Sequence, residues 1–286
     1  MVGFRGGAGS PARHTRHNPA LRKAFLFILA IMVLVPFLFP FIWMLLGSFK
    51  EEVDFMAYPP IWIFKPTIEN YVKVFVENDF GTFAVNSTIV AALTTFFGLL
   101  FGIPGAYAVA RYKRTGFALI VLAARMAPGI AFLLPWFVLF VQLKLTNTYF
   151  ALVTSHLIFT LPLILWMMIG FIEAIPREIE QAAMVDGCTV WGSLFRIIIP
   201  LTLPGVAASG ILCFIFSWNN FLFSVVLAGE STKTLPVAVF NFIGYQSIAW
   251  GSLSAAASII TLPVLFLALI VQKYIVQGLA AGGITG

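Results

Sequence analysis

Long apolar runs constrain this chain more than any other feature. Six of them, at roughly 24–47, 83–110, 117–142, 149–172, 203–228 and 252–276, carry few charges and are joined by polar segments. A helix of about 20 apolar residues crosses the roughly 30 Å hydrocarbon layer of a bilayer. Inside lipid the backbone N–H and C=O groups of a lone segment must pair with one another, which leaves a helix for runs of this length. Charged residues make up only 10% of the 286, with a mean hydropathy of +0.99. A soluble domain carries about 25%, so too few charges remain to cover a water-exposed surface. The expected fold is all-α and integral to a membrane, with six transmembrane helices.

The first run, Ala24 to Gly47, exceeds the roughly 7–15-residue apolar core of a signal peptide and reads as a retained span. Lys and Arg in short loops set the expected orientation. Eleven collect on one side: Arg5, Arg13, Arg16, Arg22, Lys23, Arg111, Lys113, Arg114, Arg177, Arg196 and Lys273. Five fall on the other: Lys50, Lys65, Lys73, Lys144 and Lys233. Both termini are therefore expected in the cytoplasm. The chain divides into a basic tail (1–23), a first span with an external loop (24–80), a transmembrane core (81–276) and a short C-terminal tail (277–286). In the external loop, Tyr58, Trp62 and Tyr71 suit the headgroup level. The net charge of +6 reads as a topology signal, not as a nucleic-acid surface. Cys188 and Cys213 sit in unlike surroundings and are not expected to pair, and no metal-ligand spacing occurs.

The longest polar segment between later spans is EAIPREIEQAAMVDGCTVWGSLFRIIIPLTLP, residues 173–204. Pro176 suits a helix start. Glu178 and Glu180 favour the first turn, where the helix dipole welcomes negative charge. Ala182 and Ala183 offer a surface without bulk. Gly187 can stop the helix in a left-handed conformation, with Asp186 expected to fix the turn. Thr189 can cap the next helix, in which Trp191, Leu194, Phe195 and Ile198 follow the spacing of one apolar face. The loop thus reads as helix, glycine turn, amphipathic helix.

This loop resembles that of binding-protein-dependent ABC importer permeases of the carbohydrate type. Their pattern is E-A-A, two residues, D-G, nine residues, I-x-L-P. Here Gln181-Ala182-Ala183, Asp186-Gly187 and Ile197 to Pro200 keep that spacing, with Gln181 in place of Glu and Ile199 in place of Leu. LKLTNTYFALV (143–153), SWNNFLFSVVL (217–227), TLPVAV (234–239) and GSLSAAA (251–257) are similar to further family segments, as is the glycine-rich end. At that end Thr285 stands where the family often has Lys. The match is nearest the smaller maltose-type inner-membrane permease subunit.

The resemblance implies a permease in a bacterial inner membrane that forms half of a translocation path. It implies four kinds of partner: a larger companion permease, a homodimeric cytoplasmic ATPase, an extracytoplasmic solute-binding protein and a carbohydrate. It also implies that a coupling loop (173–200), through Glu178, Glu180, Gln181, Ala182, Ala183, Asp186 and Gly187, docks into the ATPase. This chain has no phosphate-binding glycine loop, so ATP and Mg2+ are expected on that partner and no catalysis or cofactor is expected here. Two readings stand for Trp218, Asn219 and Asn220: they line the substrate path, or they hold helices together. His156 reads as a hydrogen bonder between helices, and Arg125 as a cation reaching toward the interface. The alternatives are a permease for a glycerol-phosphate-type or other polar solute, or a secondary transporter acting alone. The last would need intramembrane carboxylates or an internal repeat, and neither is evident.

Overall fold

The computed structural model describes residues 19–112, 115–126, 128–244 and 247–282. Arg5, Arg13, Arg16, Lys113, Arg114 and Thr285 lie outside them, as do the side chains of Arg22 and Arg125. The chain forms two units, residues 1–46 and 47–286. The described residues of the first belong to one helix, α1 (Pro19–Gly47), with Pro36 and Pro40 inside it.

The second unit begins with the expected external loop, which carries two short helices, α2 (Glu52–Met56) and α3 (Glu69–Val72). Then come α4 (Phe80–Tyr112), α5 (Thr115–Met126), α6 (Gly129–Gln142) and α7 (Tyr149–Glu173). The polar loop supplies α8 (Arg177–Val185), α9 (Val190–Ser193) and α10 (Ile199–Leu201), with one π-turn over Leu194–Ile198. The chain continues through α11 (Leu203–Trp218), α12 (Ser224–Leu227), α13 (Leu235–Ala238) and α14 (Trp250–Gly282).

The long helices α4, α7 and α11 pack together, and α14 lies against α11. In lipid, helices gain little from hydrophobic burial against one another and associate through close packing. Gly98 and Gly102 of α4 provide it: a Cβ at either would stand 2.6 or 2.7 Å from Ile164 of α7. Around this contact Ala106, Met168, Ile172, Leu194, Ile198 and Cys213 are fully or almost fully buried.

Four helical stretches are long and apolar enough to cross a membrane unaided: Phe25–Gly47, Phe80–Tyr112, Tyr149–Glu173 and Trp250–Tyr274. Six uninterrupted spans, the expectation from hydropathy, are not what the described residues form. The third expected span is two helices, α5 and α6, divided just before Gly129. Pro128, which lacks an N–H, stands outside helical angles just before α6. The fifth expected span stops at Trp218, ten residues early, and its helix joins the Val190–Leu201 segment through an 81° bend.

The loop between α1 and α4 also departs from expectation. Tyr58 and Trp62 are exposed, but Tyr71 is half-buried, 2.9 Å from the Ser48 hydroxyl and packed on Phe49. Asn70 ties the loop down by donating to the carbonyls of Ser48 and Lys50. Glu52 accepts from the N–H groups of Trp250 and Gly251, the start of α14, where a carboxylate answers the helix dipole. Glu69 bonds Lys73 one turn on, at 2.7 Å, which raises the lysine pKa.

Candidate functional site

Two regions combine exposure with built geometry. The first is α8. Pro176 precedes it in an extended conformation, and Glu178 and Glu180 occupy its first turn. Its C-terminus is a Schellman motif: the N–H of Gly187 bonds the carbonyl of Met184 at 3.1 Å, and that of Cys188 bonds Ala183 at 3.0 Å. Gly187 takes φ +90°, a region that residues with a Cβ resist. The turn closes through the main chain alone. Asp186 is exposed and, among the described residues, its side chain contributes no hydrogen bond, contrary to the expectation that it fixes the turn. Thr189 caps α9 as expected, accepting from the Gly192 N–H at 3.1 Å.

The faces of α8 are unequal. Glu178, Gln181, Ala182, Val185 and Asp186 are exposed, whereas Glu180 and Ala183 are buried, one turn apart. Glu180 points back to the last turns of α4. The Tyr107 hydroxyl donates to its Oε1, and Arg111 Nε donates to its Oε2 at 2.7 Å. Two further bonds flank this pair: Arg111 to the carbonyl of Ile175, and Arg177 to the carbonyl of Ala110. Beyond the glycine turn the expected apolar stripe divides. Leu194 and Ile198 are buried, but Trp191 and Phe195 are exposed and stacked at 6.1 Å. The stripe is about 100° wide on a regular helix, so its two edges can face different surroundings, and the π-turn rotates the second edge further.

The second region is a cavity of about 370 Å3 where the end of α11 meets α7 and the start of α6. Its lining mixes aromatic rings (Phe159, Phe216, Phe221) with polar groups (His156, Thr160, Asn219, Asn220). His156 Nδ1 lies 2.8 Å from the Ser217 hydroxyl and Nε2 3.4 Å from that of Ser224, so this ring joins α7 to α11 and α12. Asn219 donates to the carbonyl of Ile215 one turn back, and Asn220 accepts from the N–H of Phe223. Trp218 is not in the lining. Its indole N–H donates to the carbonyl of Ile260 in α14, and its ring stacks on Phe214. Among the described residues there is no cluster of three potential metal ligands.

A family described as "Binding-protein-dependent transport system inner membrane component" matches residues 95–281. The chain belongs to this family. It is 37% identical over 269 residues to the sulfoquinovosyl glycerol transport system permease protein SmoH of Agrobacterium fabrum, covering 92% of this chain and 94% of that one. It is also 37% identical, over 273 residues, to the trehalose/maltose transport system permease protein MalG of Thermococcus litoralis, covering 93% and 98%. A solved bacterial ABC transporter that imports the acidic polysaccharide alginate shares the fold, with a TM-score of 0.72 at 23% identity over 93% of this chain and 99% of that one.

This ABC importer permease is thus a multi-pass membrane transport component, not an enzyme. The permease's own fold explains several segments that its sequence marks without explaining. Asn147, in the 143–153 segment, has φ +59° and accepts at one oxygen from Gly229, Ser231 and Thr232. Asn86 holds the carbonyls of Ser231 and Lys233 and accepts from Tyr149. Loop 229–233 is pinned by two asparagines distant in sequence, Asn86 on α4 and Asn147 in the turn between α6 and α7. Neither Asn86 nor the partners of Glu180 stood out in the sequence, because their partners lie 63–147 residues away along the chain.

Proposed function

We propose that this permease is one half of the translocation path of an ATP-driven carbohydrate importer in a bacterial inner membrane. Both termini and the 173–204 loop lie in the cytoplasm. The exposed face of α8, with Glu178, Gln181, Ala182 and Val185, docks on a homodimeric ATPase that carries ATP and Mg2+. A larger companion permease supplies the other half of the path, and an extracytoplasmic binding protein delivers the solute. The observation that carries this reading is α8 itself: a short, exposed helix with an alanine on its outer face, a strict glycine stop and a firm attachment to α4.

The substrate class is supported by the relatives named for trehalose/maltose and sulfoquinovosyl glycerol transport, and by the cavity. Aromatic rings beside amide, hydroxyl and imidazole groups suit a solute with apolar C–H faces and many hydroxyls. Asn219 and Asn220 are assigned to the solute path, and Trp218 is assigned to packing.

The test is uptake in proteoliposomes holding this permease, its companion, the ATPase and the binding protein. Radiolabelled disaccharides should accumulate only with ATP on the ATPase side and binding protein on the other. Accumulation without ATP, or by this chain alone, would favour a secondary transporter.

A further inference from the structure

Glu180 is anomalous on its helix. Its neighbours Ile179 and Gln181 are exposed, yet its side chain is 7% exposed, and that of its partner Arg111 is 8% exposed. Burying a charge is costly unless it is paired and bonded. Here both carboxylate oxygens are used, one by Tyr107 and one by Arg111, residues that stand one turn apart on α4. Arg111 is itself held at Ile175, just before α8, and Arg177 reaches back to Ala110. In sequence α8 lies between α7 and α9, but among the described residues the side-chain bonds of its charged residues go to α4, which packs along α7 and α11 and leads to the far-side asparagine Asn86.

We propose that Glu180, Arg111 and Tyr107 form a clamp that makes α8 and α4 one rigid lever. Glu180 is then a positioning residue facing the permease, and it is Gln181 and Ala182 that face the ATPase. A displacement of α8 passes directly into α4, and from α4 to the helices that line the cavity. The proposal rests on the reading of α8 as the docking helix. The bonds from Arg111 to Ile175 and from Arg177 to Ala110 do not involve the carboxylate, so its neutralisation loosens the lever without detaching α8.

The test uses the whole importer in nanodiscs, in a Cys188→Ser background, with spin labels at Ile179 on α8, outside the docking residues, and Ala108 on α4, both exposed. The clamp predicts one narrow distance that stays the same with and without ATP. Glu180→Gln should broaden that distribution and lower solute moved per ATP hydrolysed by at least about 5-fold, the low end of ordinary coupling between sites. Exchanging the charges, Glu180→Arg with Arg111→Glu, should recover both readouts in part, which loss of folding would not allow. An unchanged distance and an unchanged solute-to-ATP ratio in Glu180→Gln would overturn the clamp. So would a native distance that changes with nucleotide. Failure of the docking reading looks different: Ala182→Arg would leave ATPase association intact, whatever the label distances show.

Discussion

At Gly187 a single backbone angle decides where α8 ends. A Cβ there meets no neighbour within 4 Å, so the penalty for substitution comes from φ +90° and not from crowding. That penalty is about 1–2 kcal/mol for a residue with a Cβ, and a β-branched side chain adds to it. Asn visits this region far more readily. Gly187→Val is therefore expected to reduce ATPase co-purification and uptake together, by roughly 5–30-fold, while Gly187→Asn stays near the native value. Equal behaviour of the two variants would remove the backbone argument. Ala182 and Ala183 carry a second lesson at this scale. They are identical in the sequence, yet one is exposed and the other is 7% exposed. A bulky residue at Ala183 would first push α8 off its own permease, so Ala182 is the position that reports on docking.

Among elements, α11 shows where hydropathy misleads. The run FLFSVVL after Asn220 is as apolar as a span, and nothing in its composition marks an end. The helix stops because Asn219 and Asn220 turn the chain, with Asn220 accepting from Phe223, and the turn brings Ser224 of α12 to within 3.4 Å of His156. The two asparagines are not equivalent as probes. Asn220→Ala removes a bond that shapes the turn, whereas Asn219, among the described residues, bonds only its own helix, at Ile215, and is exposed. Asn219→Ala should thus lower uptake at limiting solute by about 2–10-fold, the worth of one neutral hydrogen bond, with ATPase association unchanged. Normal uptake in this variant would place the solute elsewhere. In α8 the sequence marks both ends clearly, through Pro176, Gly187 and Thr189. Which face turns inward is invisible until Tyr107 and Arg111 arrive from α4, 73 and 69 residues away from Glu180. Trp218 fails for the same reason: an indole next to two asparagines looks like a sugar platform, and its true partner is a carbonyl 42 residues on.

For the molecule as a whole, the membrane class and the importer family were legible, because both rest on long runs and fixed spacing. The interruptions were not, since a break at Pro128 and an 81° bend before α11 leave average hydropathy almost untouched. What unites the parts is a division of labour along α4. Near its start, Asn86 and Ser87 hold the 231–235 segment; at its other end, Tyr107 and Arg111 hold α8. The central claim is that α8 presents its Ala182 face to a separate ATPase on the cytoplasmic side. Its most direct measurement is cysteine-directed photo-crosslinking in the assembled importer, in a Cys188→Ser background. The account predicts an adduct with the ATPase from Ala182→Cys and none from Asp79→Cys, which lies at the opposite end of the core. An ATPase adduct from Asp79→Cys, or none from Ala182→Cys, would contradict it.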